Sequence, residues 1–181
     1  MSVPVSILRF RPGLVVPDRV YLDTNVLLHA RDQGSSRYRT ASLCLRELIQ
    51  QRVELSISAL VVDELWWALF KLSYRLLTGQ ELTSQEYKHH VEIWRNNWPT
   101  VRRITDEILA WKGLTILDST SATDLVREAA ALIDMNPLGP RDAFHLALVL
   151  RHSIPGIVTA DRDFDHVQQI PAGKHVTIVK L

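Results

Sequence analysis

The sequence predicts an α/β fold, with a mostly parallel central sheet covered by helices on both faces and an inserted helical segment over roughly residues 71–112. Two patterns carry this prediction. Short apolar runs of strand length recur along the chain, and the stretches between them repeat apolar residues at helical spacing instead of offering hairpin turns. Size agrees, because 181 residues, 46% hydrophobic and 23% charged, suit one globular domain over 1–181 with a core able to cover such a sheet.

The elements follow in order. Val20 to Leu22, between Pro17 and Asp23, reads as the first strand. Ser36 to Arg52 reads as a helix, with Ala41, Cys44, Leu45, Leu48 and Ile49 on one face. Glu54 to Ser58 alternates apolar and polar residues and is the second strand. Ser58 to Leu77 is a long helix stopped by Gly79. Thr83 opens another helix, with Glu86 completing a capping box, and that segment runs to Trp111 with a break or kink near Pro99. Leu114 to Leu117 is a strand, Ala122 to Met135 a helix ended by Asn136 and Pro137, and Pro140 starts a buried helix to Arg151. Gly156 to Thr159 and Val176 to Val179 are the last strands.

Bulk properties narrow the function. Net charge is +1, which disfavours a strongly basic, non-specific DNA-binding module but leaves a nuclease open, since metal-holding carboxylates offset phosphate-holding cations. No apolar run reaches membrane length, because Asp63 and Glu64 interrupt Leu60 to Phe70. Arg9 and Arg11 follow the first apolar residues and no cleavage site is evident, so the N-terminus does not read as a signal peptide. Cys44 is the only cysteine, so no intrachain disulfide forms and a reducing cytoplasm is the simplest location.

Ligands of parallel sheets bind beyond the carboxyl ends of the strands. Four acidic elements map there. Asp23 follows the first strand in Leu22-Asp23-Thr24-Asn25, where the plainer role is a helix cap. Asp63 and Glu64 interrupt an apolar helix, and burial of an unpaired carboxylate is costly. Asp142 opens the helix Arg141-Asp142-Ala143-Phe144-His145, where an acid also favours the helix dipole. His145 lies one turn on and reads as a hydrogen-bonded packing residue ahead of a ligand. Asp161 and Asp163 lie just past the strand ending at Thr159, in a loop whose acids also suit turns. Carboxylates gathered at one edge raise each other's pKa values unless a cation joins them. Oxygen donors without a Cys/His set suit Mg²⁺ or Mn²⁺, and the adjacent His89 and His90 read as solvated.

The four segments together resemble the PIN-domain family. LDTNVLL is similar to its first motif, SALVVDEL to its second, RDAFHLAL to its third and TADRDF to its fourth. The third and fourth, with 19 residues from Asp142 to Asp161, are the most specific pair. The resemblance implies Asp23, Glu64, Asp142 and Asp161 as catalytic metal-binding acids, with Asp163 accessory and Glu64 the inward member of its acidic pair. It also implies a Rossmann-like α/β/α sandwich and Mg²⁺- or Mn²⁺-dependent cleavage of single-stranded or structured RNA. Many members are VapC-like toxins held by a cognate antitoxin and commonly dimeric, so an RNA substrate, an antitoxin and a homodimer are the expected partners. The chain departs from compact toxins in about twenty residues before the first motif and in the long segment holding Trp94, Trp98 and Trp111. Trp94 and Trp98 read as packing residues ahead of base-stacking ones. Arg95, Arg102, Arg103 and Arg162 are candidate phosphate contacts, with solvated surface charge as the plainer role. Two alternatives remain at this stage. One is a catalytically silent PIN fold. The other is a haloacid-dehalogenase-type phosphatase, which needs a second acid where Asn25 stands.

Overall fold

The computed structural model describes residues 2–83, 91–118 and 121–181. In chain order the elements are β1 (Ser2–Pro4), β2 (Ser6–Arg9), β3 (Arg19–Leu22), α1 (Thr24–His29), α2 (Tyr38–Gln50), β4 (Glu54–Ser58) and α3 (Ala59–Thr78). They continue with α4 (Val91–Leu109), β5 (Leu114–Leu117), α5 (Ala122–Met135), α6 (Pro140–Arg151), β6 (Gly156–Thr159), a 3-10 turn (Arg162–His166), β7 (Gln169–Pro171) and β8 (Thr177–Lys180). The central sheet runs β2-β8-β6-β3-β4-β5 with every neighbour parallel, flanked by helices as expected.

Burial explains why these residues form strands. β6 and β8 are buried at every position, and β4 at all but its first, as suits strands covered on both faces. Gly156 is required where β6 meets β3, because a Cβ there would sit 2.9 Å from Val20 Cγ1. The α3 helix starts on Ser58, whose side chain accepts from the Val61 backbone, and stops at Gly79 in the left-handed conformation with φ 71°.

The chain steps from β3 through β4 to β5, then crosses back to lay β6 on the other side of β3. Strand order therefore reverses at β3, and the crevice past its carboxyl end is where such folds bind ligands. β3 and β6 finish together there, with the Asp23 backbone donating to the Val158 carbonyl at 3.0 Å.

Three expectations change. The segment before the first motif supplies β1, which pairs antiparallel with β7, and β2, which extends the sheet beside β8. The last strand is Thr177–Lys180, one residue later than predicted. α4 runs through Pro99 without a break, because the i−4 carbonyl bond that proline forfeits is one among many in a 19-residue helix. The proposed capping residue Glu86, and His89 and His90, lie outside the described residues. Trp98 packs edge-on against Trp66, with ring centroids 5.1 Å apart, and Trp94 lies against Phe70. Trp66 Nε1 also donates to Thr105 Oγ1 at 2.9 Å, so these tryptophans weld α4 to α3. Among the described residues no helix is long and apolar enough to cross a membrane.

Candidate metal centre

Asp23 follows β3 and precedes α1, and the residue is 4% exposed. It does not cap α1 with its side chain, which removes the plainer role considered for it. Instead Asp23 Oδ2 accepts from Thr159 Oγ1 at 2.5 Å and from Asn25 Nδ2 at 2.6 Å. Asn25 Oδ1 accepts from the Ala160 backbone at 2.7 Å, and Thr159 Oγ1 from the Asp161 backbone at 2.9 Å. One compact set of bonds thus ties the first motif to the fourth. Burial pushes the Asp23 carboxyl above its ordinary range, against the lowering influence of His145 and the Thr159 bond.

Glu64 lies in the second turn of α3, while its neighbour Asp63 points to solvent, as predicted. Glu64 Oε2 accepts from Thr24 Oγ1 at 2.6 Å and faces His145 Nε2 at 3.2 Å. Arg141 stands 3.7 Å from Oε1. Burial favours the neutral form of Glu64, but the hydrogen bonds from His145 and Thr24, with the charge of Arg141, outweigh it and hold the pKa low. These contacts favour the ionised form of Glu64.

Asp142 sits in the first turn of α6, half-buried. Its pKa is pushed up to about 6, first by burial and then by the charges of Asp161, Asp23 and Asp163. A Cβ built on Gly139 would meet Asp142 Oδ2 at 3.1 Å and Asp163 Oδ2 at 3.7 Å, so the third and fourth motifs converge over that glycine. Asp161 turns its side chain to its own loop, where Oδ1 accepts from the Asp163 backbone at 3.0 Å.

The closest set of possible ligand atoms among the described residues comes from Asp23, Glu64 and His145, all within 4.8 Å of one another. Asp142, Asp161 and Asp163 stand outside that set, and Asp142 feels the charges of Asp161, Asp23 and Asp163. His145 is nearer the centre than its sequence position suggested. It is buried in α6, and its Nδ1 lies 2.7 Å from the Tyr21 hydroxyl, which in turn lies 2.7 Å from Ser58 Oγ. Tyr21 and Ser58 carried no sequence signal, being a core aromatic and a helix cap by pattern. Two cations steady the fourth-motif loop: Arg37 donates to the Ala160 carbonyl, and Lys180 donates to the Asp161 carbonyl and pairs with Asp165 at 3.1 Å. The candidate phosphate contacts on α4 are engaged along their own helix, Arg95 with Glu92, Arg102 with Asp106 and Arg103 with Glu107. Arg162 is exposed at the start of the 3-10 turn.

A family profile described as the PIN domain matches residues 20–170. No curated protein sequence matches the chain. Among solved structures, VapBC2 from Rickettsia felis, bound to a promoter DNA fragment, is 16% identical, with a TM-score of 0.53 over 89% of this chain and 98% of that one. VapBC from Salmonella typhimurium, also bound to DNA, is 13% identical, with a TM-score of 0.53 over 89% and 97%. VapC20 from Mycobacterium tuberculosis, a toxin that cleaves the sarcin-ricin loop, is 16% identical, with a TM-score of 0.51 over 81% and 92%. At these identities the likeness is one of fold.

Proposed function

The chain belongs to the PIN-domain family, and from that membership we propose that it is a Mg²⁺- or Mn²⁺-dependent endoribonuclease, the toxin of a type II toxin–antitoxin pair. The observation that carries this reading is the gathering of buried Asp23, ionised Glu64 and a strongly perturbed Asp142 at the carboxyl end of β3. Acids perturbed by burial and by specific charge partners in a crevice are candidates for a functional site.

The donor set fits a hard divalent cation. Several carboxylates of one sign crowd a half-buried crevice, no thiolate is present, and a cation relieves both the burial cost and the mutual repulsion. Asp23, Glu64, Asp142 and Asp161 would hold the ion directly or through water, with Asp163 in support. Bound there, the ion supplies Lewis acidity toward a phosphodiester and a water of lowered pKa. The chain's own contribution is orientation. Thr159 and Asn25 fix the carboxylate plane of Asp23, Thr24 fixes Glu64, and Arg37 and Lys180 hold the loop that carries Asp161.

Asn25 counts against the phosphatase reading. Its amide is spent between Asp23 and the Ala160 backbone, and it has no proton to give a leaving group. The toxin assignment draws on the VapBC complexes that share the fold, and it carries an antitoxin and a homodimer as expected partners. The test is cleavage of a panel of single-stranded and structured RNAs by folded protein in Mg²⁺, in Mn²⁺ and in EDTA. Cleavage only with metal supports the reading. Intact RNA in every tube leaves a silent PIN fold and rejects the nuclease.

A further inference from the structure

A single run of hydrogen bonds leads from the core into the site: Ser58 to Tyr21 at 2.7 Å, Tyr21 to His145 Nδ1 at 2.7 Å, and His145 Nε2 to Glu64 Oε2 at 3.2 Å. All three inner members are buried, Tyr21 at 0%, Ser58 at 1% and His145 at 1% exposure, so no solvent competes for their protons. Counting those protons gives the run a direction. A carboxylate in the deprotonated form that binds a metal only accepts, so His145 Nε2, 3.2 Å from Glu64 Oε2, carries hydrogen. Nδ1 is then the acceptor, and the Tyr21 hydroxyl donates to it. A phenol keeps its hydrogen near neutral pH, so that donor is present. Ser58 in turn donates to the Tyr21 oxygen while accepting from the Val61 backbone at 3.4 Å. Every hydrogen is used once and every acceptor is filled. A ring protonated at Nδ1 would reverse the run and leave the Ser58 hydrogen with no acceptor in it, a cost that buried side chains among the described residues otherwise avoid.

We propose that His145 is a positioning residue: Ser58 and Tyr21 fix its ring as the Nε2–H tautomer, and the ring fixes the Glu64 carboxylate for the metal. The inference rests on the reading of Glu64 as a metal-binding acid. It also separates the roles within the cluster of Asp23, Glu64 and His145. The nitrogen of His145 that faces the cluster has its lone pair occupied by hydrogen, so His145 supports a ligand and is not one. Thr24 grips the same Oε2, which leaves Glu64 Oε1 as the oxygen free to turn to an ion or to Arg141.

Nitrogen-15 NMR of metal-free, full-length protein with labelled histidine reads the tautomer directly. Wild type should show His145 protonated at Nε2 alone. Tyr21→Phe removes one hydroxyl from a position that touches no ion. Glu64 still calls for a hydrogen on Nε2 in that variant, but the ring loses its anchor at Nδ1, so Mn²⁺ binding should weaken by about 10-fold or more, the usual scale for partners behind a metal ligand. A wild-type ring protonated at Nδ1 overturns the inference without any variant having to fold. So does a folded Tyr21→Phe protein whose Mn²⁺ affinity matches wild type. Protein that gives the expected tautomers and affinities yet cleaves no RNA upholds the positioning role and rejects the nuclease reading instead.

Discussion

Replacing Asp142 with Asn should make the metal-free protein more stable near neutral pH. Asp142 is raised from an ordinary 3.8 to about 6 by burial and by the charges of Asp161, Asp23 and Asp163. The folded protein therefore holds a proton that the unfolded chain has released, and stability falls as pH rises from about 4 through about 6. Above that range the penalty is constant. A shift of that size corresponds to about 3 kcal/mol at full value. Half-exposure and solvent screening reduce the usable figure to about 1–2 kcal/mol. Asn keeps the shape and removes the charge, so the variant should gain that amount at pH 7 and lose the corresponding slope between pH 4 and 6. For a chain of this size the gain is roughly 2–8 °C in Tm. Asp23, also raised, adds a slope of the same sign in both proteins, and Glu64, held low, adds one of opposite sign. The difference between wild type and variant reports Asp142 together with its coupling to Asp161, Asp23 and Asp163. The assay is thermal melting in EDTA from pH 4 to 7.5. An Asp142→Asn protein that is no more stable than wild type at pH 7, or that keeps the same pH slope, refutes the reasoning.

Mn²⁺ should raise the wild-type Tm, with about 2.7 kcal/mol of stabilisation when free metal reaches 100 times its Kd, and the increment should shrink in Asp142→Asn. An equal increment in both proteins contradicts a role for Asp142 at the ion. Asp63→Asn should leave RNA cleavage within about 2-fold of wild type, since Asp63 faces solvent, whereas Asp163→Asn should lose part of it because its carboxylate converges with Asp142 over Gly139. Reversed severities would contradict the placement of these acids. The expected homodimer should use part of the segment over 71–112 or the helix before it, where Leu76 and Leu77 on α3 and Trp98 and Leu109 on α4 are exposed. Light scattering at tens of micromolar, an order of magnitude suited to specific dimers, should give twice the chain mass, and a monomer would count against that interface.

The sequence made the sheet and the corners of the site legible for a local reason. Strands such as Gly156–Thr159 are apolar on both faces, and Ser58 and Gly79 mark the ends of α3 by cap chemistry that involves only near neighbours. Asp23 stood out because it follows a strand, and Glu64 because an ionised acid in an apolar helix needs a partner. The remainder depends on distant contacts. Tyr21 meets His145 across 124 positions and His145 meets Glu64 across 81, so no window along the chain distinguishes this histidine from a packing residue. β2 is four residues long with three of them exposed, and it becomes a strand by pairing with β8 at the far end of the chain. Arg102 and Arg103 were candidate phosphate contacts with solvated surface charge as the plainer role, and their exposed pairing with Asp106 and Glu107, one helical turn on, suits the plainer role.

The central claim is that buried Asp23 holds a catalytic ion. Its most direct test is the rate of RNA cleavage in saturating Mn²⁺ by wild type and by Asp23→Asn, with circular dichroism confirming that both are folded. Asn preserves a group of the same size beside Thr159 and Asn25 while removing the charge. The account predicts metal-dependent cleavage by wild type and a loss of about 100-fold or more in the variant, the scale expected when a catalytic assembly loses a member. Full activity in folded Asp23→Asn protein would contradict it.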